Sequence, residues 1–90
     1  MNREEIEDKV RSIISSHLEV EKDLVRSDSA LSTEMGMDSL DVLEVAFLLE
    51  KEFAIDIRYK SFGEVNLTVA KIVEIVEKSL NEKNSSHIRF

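Results

Sequence analysis

Apolar residues recur at the spacing of one helical face between residues 6 and 18. The stripe consists of Ile6, Val10, Ile13, Ile14 and Leu18. These positions lie on one side of a helix, the side that faces a core. Asn2 and Glu5 precede the stripe at the spacing of a reciprocal cap. The pattern predicts a first amphipathic helix that closes a bundle.

The stretch from Ser39 to Phe53 holds two apolar stripes, because nine of its fifteen residues are apolar. A core-facing stripe comprises Val42, Val45, Ala46, Leu49 and Phe53. A second stripe, turned to the other side, comprises Leu40, Leu43 and Phe47. Periodicity alone leaves two interpretations of the second stripe: burial by another element, or an exposed strip that binds a partner.

A further main helix is predicted after Thr68, a residue type that caps helix starts. Its predicted buried stripe is Val69, Ile72, Val73, Val76 and Leu80. From Asn81 the chain turns polar and the periodicity is lost, so residues 83–90 are predicted to form a flexible C-terminal tail.

Two connections join these helices. Residues 19–37 lack helical periodicity and are rich in serine, threonine and aspartate, which predicts a long loop. The residues expected to anchor that loop to the core are Leu24, Val25, Leu31 and Met35. After Phe53, the apolar residues Ile55 and Ile57 alternate with polar ones, so we expect an extended connection with both tucked inward. A short helical turn is predicted near Tyr59 to Val65.

The predicted fold is all-α: a small antiparallel helical bundle of three main helices plus one short helix, with the long loop between helices one and two. Ninety residues make one domain, which we place at residues 1–82 and expect to be monomeric. The chain has no cysteine, so disulfides, thiolate metal sites and a cysteine nucleophile are excluded. No apolar run reaches the ~20 residues of a membrane span and no leader pattern opens the chain, so we expect a cytoplasmic protein without membrane insertion.

Negative charge is concentrated in the middle of the chain. The formal net charge is -7, and residues 34–56 carry seven acidic residues against Lys51 alone, or -6. Such a field disfavours binding to nucleic acid and favours partners with basic surfaces.

Ser39 is the candidate for chemistry, because Asp38 is a good N-cap and puts that serine at the first position of its helix. A phosphate ester on its hydroxyl would lie at a helix N-terminus, which favours anions. Gly36 is expected to let the loop approach closely enough for Asp38 to cap. No Gly-x-Ser-x-Gly elbow or triad with His17 or His87 is present, so we expect no catalytic residue, and His17 is interpreted as a surface or packing residue.

The run Gly36-Met37-Asp38-Ser39-Leu40-Asp41, followed by Glu44, Leu49-Glu50 and Glu52-Phe53, resembles the acyl carrier protein family. The resemblance implies that Ser39 carries a 4'-phosphopantetheine arm derived from coenzyme A, whose thiol holds acyl groups as thioesters. It also implies that Asp38 lies beside the phosphodiester, and that the chain is a carrier and not an enzyme. The thiol absent from the chain would then come from a prosthetic group.

The resemblance further implies the partners. A phosphopantetheinyl transferase (holo-acyl carrier protein synthase) would attach the arm, and acyl-loading and acyl-transferring enzymes of fatty-acid or related lipid or polyketide biosynthesis would use it. Their basic docking surfaces would meet an apolar strip and its flanking carboxylates. These partner-binding residues are Leu40, Asp41, Leu43, Glu44, Phe47 and Glu50, with Asp38 at their edge.

Two alternatives stay open. The first is an aminoacyl or peptidyl carrier, although peptidyl carriers usually have Gly-His before the serine and D-alanyl carriers usually follow it with phenylalanine. The second is an adaptor protein whose acidic helix docks with Ser39 unmodified. Threonine and glutamate are common in the family at the positions of Val42 and Lys51, which favours a specialised carrier over the general fatty-acid one.

Overall fold

The computed structural model describes residues 2–57 and 67–88, with side chains described as far as residue 82. Within these ranges the structure contains three α-helices, α1 (Arg3–Leu18), α2 (Ser39–Phe53) and α3 (Val69–Ile88), and a 3₁₀ turn at Lys22–Leu24. Within the described ranges the only β pairing is an isolated bridge between Ala30 and Thr68. The all-α prediction is confirmed. The predicted short helix at Tyr59 to Val65 lies outside the described residues.

The first helix starts at the predicted reciprocal cap. The Asn2 side-chain oxygen accepts the Glu5 backbone N–H at 2.9 Å, and the Glu5 carboxylate accepts the Asn2 N–H at 3.2 Å. The predicted stripe is buried at Ile6, Val10 and Ile14, with Ile13 and Leu18 packed partly against the core. Capping and periodicity therefore agree on where α1 begins and which face it buries.

α1 and α2 run antiparallel. Lys9, in the first half of α1, pairs with Glu52 near the end of α2 at 3.0 Å, whereas His17 at the end of α1 reaches Asp41 in the first turn of α2. Four of the five residues predicted for the core-facing stripe of α2 are buried, and Val42 is partly buried. The buried four are Val45, Ala46, Leu49 and Phe53.

The long loop between α1 and α2 is held to α1 by an arginine. The Arg11 guanidinium donates to the backbone carbonyls of Val25 and Lys22. Val25 and Leu31 are buried as predicted, and Met35 is partly buried. The prediction for Leu24 is wrong, since this side chain is 61% exposed. Leu24 is the last residue of the 3₁₀ turn. With three residues per turn, its side chain points about 120° away from that of the next residue, and Val25 takes the inward direction.

The same loop also closes the start of α3. The first backbone N–H groups of a helix have no intrahelical acceptor. Here Val69 donates to the Ser29 carbonyl at 3.2 Å and Ala70 to the Ser27 carbonyl at 2.8 Å. The Lys71 N–H donates to the Thr68 hydroxyl at 3.2 Å, which confirms the predicted cap. The loop is thus attached to α1 through Lys22 and Val25 and to α3 through Ser27 and Ser29.

The connection after α2 is tucked inward as predicted, with Ile55 and Ile57 buried. Ala54 ends the helix in the left-handed conformation, at φ 53°. The Glu50 carboxylate accepts the Ile57 backbone N–H at 2.8 Å. A side chain of the acidic helix therefore holds the extended segment that follows it.

α3 continues to Ile88, past the boundary at residue 82 that loss of apolar periodicity had indicated. The backbone can remain helical there because residues 69–88 contain no glycine or proline to interrupt the hydrogen-bond ladder. Flexibility of residues 83–90 stays a prediction. In the part of the chain that the structure describes, no helix has both the length and the apolarity to cross a membrane.

Gly36 is needed for its backbone conformation and not for close packing. Its φ is +68°, and a Cβ built on it would meet nothing within 4 Å, so the expectation of a close approach is corrected. We expect Gly36→Ala to lower the free energy of unfolding by about 1–2 kcal/mol, because side chains disfavour the left-handed region.

The matched control is Ala54→Gly, which relieves the same penalty at φ 53° and should raise stability. Urea denaturation of both variants measures the effect. Equal stability of Gly36→Ala and the unsubstituted protein would contradict the conformational explanation.

Candidate functional site

Two aspartates determine where α2 begins. The Asp38 side chain accepts the Asp41 backbone N–H at 2.9 Å, and the Asp41 carboxylate accepts the Asp38 N–H at 3.3 Å. The first intrahelical bond runs from the Val42 N–H to the Asp38 carbonyl at 3.1 Å. Reciprocal capping of this kind usually uses glutamate or glutamine at the third position, and here the shorter Asp41 closes it. Asp38 is thereby confirmed as the N-cap.

Ser39 is the first residue of α2 and is exposed. It stands where the unpaired N–H groups and the positive end of the helix dipole are concentrated. An anionic group bonded to this hydroxyl would meet favourable electrostatics and would have room in the solvent. The local geometry is therefore suited to a phosphate ester on Ser39.

The second apolar stripe of α2 is exposed to solvent. Leu40 is 61%, Leu43 38% and Phe47 51% exposed, so of the two interpretations open at the sequence level, the structure supports the exposed strip. Leu48, at 41% exposed, is a further exposed apolar residue of α2 that was not predicted. The sequence did contain a signal for it, because Leu48 is the one apolar residue between Ser39 and Phe53 that fits neither stripe. We call Leu40, Leu43 and Phe47 the exposed strip.

The carboxylates around the exposed strip differ in how far they are engaged within the protein. The side chains of Asp41 and Glu44 are 34% and 50% exposed. Asp41 takes part in the cap, and Glu50 is half-buried and accepts the Ile57 N–H. Asp38 is exposed but accepts the Asp41 N–H. The Glu44 side chain is therefore more exposed than that of Asp41, and its carboxylate lies 3.7 Å from His17 Nε2.

His17 belongs to this site although its sequence position gave no sign of it. Its side chain is 16% exposed, and its Nε2 lies 3.1 Å from Asp41 Oδ1 and 3.7 Å from Glu44 Oε2. The contact with His17, followed by the Asp38 backbone N–H, holds the pKa of the Asp41 carboxyl below its ordinary value. Among the described residues, no group of three or more histidine, aspartate or glutamate side chains is arranged to hold a metal ion.

An open groove of about 630 Å³ lies between α1 and α2. Ser39 does not line it, so the groove is a neighbour of the candidate site and not the site itself. The residues that line the groove are Ser12, Ile13, Ser16, His17, Leu48, Lys51 and Glu52.

Known proteins resemble this chain over most of its length. A family model described as "Phosphopantetheine attachment site" matches residues 8–76. An acyl carrier protein of Prochlorococcus marinus is 42% identical over 77 residues, covering 86% of this chain and 95% of that protein. One from Thermotoga maritima is 37% identical over 79 residues, covering 88% and 96%. One from Cyanidioschyzon merolae is 34% identical over 89 residues, covering 96% and 97%.

The lowered pKa of Asp41 predicts a particular loss of stability in acid. A carboxyl with a depressed folded-state pKa contributes stability that is complete above its unfolded value, about 3.9, and is lost as pH falls through the folded value. We expect Asp41→Asn to be less stable than the unsubstituted protein at neutral pH, with the difference shrinking below about pH 4.

Unfolding measured from about pH 6 downwards checks this expectation. The comparison isolates Asp41, because Asp8, whose pKa is also lowered by its contact with Lys22, is present in both proteins. A difference in stability that stays constant across this range would contradict the assignment.

Proposed function

The chain belongs to the acyl carrier protein family, and from this premise we propose that Ser39 carries the 4'-phosphopantetheine arm and that the protein delivers acyl groups as thioesters on it. The observation that carries the proposal is the position of Ser39, exposed at the first residue of a helix whose start is closed by Asp38 and Asp41. The family model that matches residues 8–76 is that of a phosphopantetheine attachment site.

The residues at the start of α2 fit such a group. Its phosphodiester would be bonded to Ser39 Oγ and lie by the N–H groups of the first helical turn, where negative charge is favoured. Asp38 would act by holding the helix start in place, since its carboxylate accepts the Asp41 N–H. When bound, the arm supplies the thiol that the chain lacks, which has no cysteine.

The attachment step uses the Ser39 hydroxyl as the nucleophile. The Oγ–P bond forms as the pyrophosphate P–O bond of coenzyme A breaks, adenosine 3',5'-bisphosphate leaves with the bonding electrons, and the hydroxyl proton passes to a base of the transferase. The chain contributes the accessible hydroxyl and the helix N-terminus, and the phosphopantetheinyl transferase contributes the base and the metal. In this proposal the chain is a substrate of that enzyme and a carrier, as its relatives are named.

The exposed strip is proposed to be the docking surface for the transferase and for acyl-loading and acyl-transferring enzymes. Its apolar side chains would enter a depression on each partner, while Asp41 and Glu44 would meet arginines and lysines. Charge pairs of this kind govern encounter rate and orientation more than affinity, which suits a carrier that leaves after each step. The pathway proposed is fatty-acid or related acyl biosynthesis.

A specialised role is proposed on the basis of Lys51. This residue is exposed and is the single cation among residues 34–56. It lines the groove between α1 and α2 next to Glu52. A partner that discriminates between carriers could recognise this cation at the end of an otherwise acidic helix.

Intact mass spectrometry tests the attachment site. Coexpression with a phosphopantetheinyl transferase should add the mass of one phosphopantetheine group to the protein and none to Ser39→Ala. Ser32→Ala is the matched control, because Ser32 is an exposed serine of the preceding loop and its loss should leave the addition intact. An arm on Ser39→Ala would place the attachment elsewhere. No arm on any of the three proteins would favour the adaptor function.

The docking surface is tested by reversing one charge. We expect Glu44→Lys to raise the KM for arm transfer about 3- to 30-fold, because an attraction of up to ~1 kcal/mol becomes a repulsion of similar size. The effect should shrink as salt rises. Glu44 is preferred to Asp41 for this test because Asp41 also caps the helix.

The control for the docking test is Leu49→Ala. Leu49 is fully buried, so its truncation should cost about 2–5 kcal/mol of stability by leaving a cavity. Glu44→Lys should leave the unfolding free energy nearly unchanged. If both substitutions lowered stability equally and neither altered the transfer kinetics, the assignment of inner and outer faces of α2 would be wrong.

A further inference from the structure

His17 connects the end of α1 to two carboxylates of the proposed docking surface. Its Nε2 lies 3.1 Å from Asp41 Oδ1 and 3.7 Å from Glu44 Oε2, across 24 residues of sequence in the first case. The side chain is 16% exposed, so it is held between the helices. Histidine is the side chain type whose charge ordinarily changes between pH 5 and 8.

Among the described residues, Asp41 and Glu44 are the direct ionic contacts of His17. From α2, Lys51 and Glu52 also line the groove that includes His17, and their charges oppose each other. The α1 residues that line the same groove are uncharged: Ser12, Ile13 and Ser16.

The charge state of His17 changes what a basic partner meets. With a neutral imidazole, Asp41 and Glu44 together present two negative charges beside the exposed strip. With a protonated imidazole the trio has a net charge of -1, and the imidazolium competes with an incoming arginine or lysine for the same carboxylate oxygens. The Asp41 carboxylate accepts the Asp38 backbone N–H at Oδ2 and contacts His17 at Oδ1, so each of its oxygens already has one partner inside the protein.

We propose that His17 is a positioning residue that sets how much negative charge Asp41 and Glu44 offer to basic partners. Docking then weakens as His17 gains a proton and tightens as it loses one. The inference rests on the proposed function, since it regulates the same docking surface. Because the pairs are partly exposed, the effect on KM is about two- to fivefold.

Two substitutions separate charge from structure. His17→Gln retains a side-chain N–H that can donate to Asp41 but has no charge at any pH. His17→Lys retains a positive charge throughout the range in which histidine titrates. Arm transfer to Ser39 by a phosphopantetheinyl transferase is measured for both variants and the unsubstituted protein between about pH 5.5 and 8.5. Ratios between proteins at each pH cancel the titration of the transferase itself.

The expected result is a change in KM with kcat unaltered. At the upper end of the pH range, His17→Gln should match the unsubstituted protein and His17→Lys should have a KM about two- to fivefold higher. At the lower end, the unsubstituted protein should approach His17→Lys, while His17→Gln retains a KM about two- to fivefold lower. If His17 acted in packing alone, its substitution would change KM by the same factor at every pH.

Thermal unfolding followed by circular dichroism shows which variants are folded. If His17→Lys does not fold, the ratio between His17→Gln and the unsubstituted protein decides alone, and a ratio independent of pH overturns the inference. If the arm is transferred to Ser39 in every protein but the KM ratios do not depend on pH, the inference about His17 is overturned and the proposed function stands. Absence of any arm on the unsubstituted protein instead rejects the proposed function, and the inference with it.

Discussion

The reciprocal cap between Asp38 and Asp41 is the interaction on which the rest of this structure depends. It determines the residue at which α2 begins, and therefore puts Ser39 at the first helical position, exposed to solvent. Once the start of a helix is set, the direction of every later side chain follows from its 3.6-residue period. Along α2, this period puts Leu49 on the face that packs in the core and Leu40 on the exposed face. The proposed attachment site and the proposed docking surface therefore lie on one helix.

The long loop that leads to this cap is hydrogen-bonded to two helices, α1 and α3. Arg11 holds its first part to α1, and its serine carbonyls accept the otherwise unpaired N–H groups at the start of α3. Gly36 then supplies the left-handed residue two positions before the cap. A loop this long is uncommon in a small domain unless it has a function. Here the loop forms hydrogen bonds with both α1 and α3, and its last residues lead into the cap at Asp38.

The acidic residues of α2 serve the fold and the proposed docking surface at once. Asp41 caps the helix, contacts His17 and flanks the exposed strip. Glu50 holds the segment after the helix through the Ile57 N–H. Glu44 also flanks the exposed strip but takes no part in the cap, which Asp38 and Asp41 form. Composition counts each carboxylate as one negative charge. The carboxylates are nevertheless not equally available to a partner, because some of them already accept hydrogen bonds inside the protein.

The sequence by itself determined the features whose causes lie within a few residues: the helix caps at Asn2, Asp38 and Thr68, the buried stripes, and the position of Ser39 at a helix start. Periodicity and capping act over three or four residues, so they are legible in the chain. Only the tertiary structure decided that Leu24 faces solvent and that His17 meets two carboxylates of another helix. Those outcomes depend on how elements distant in sequence pack together, and no local pattern contains that information.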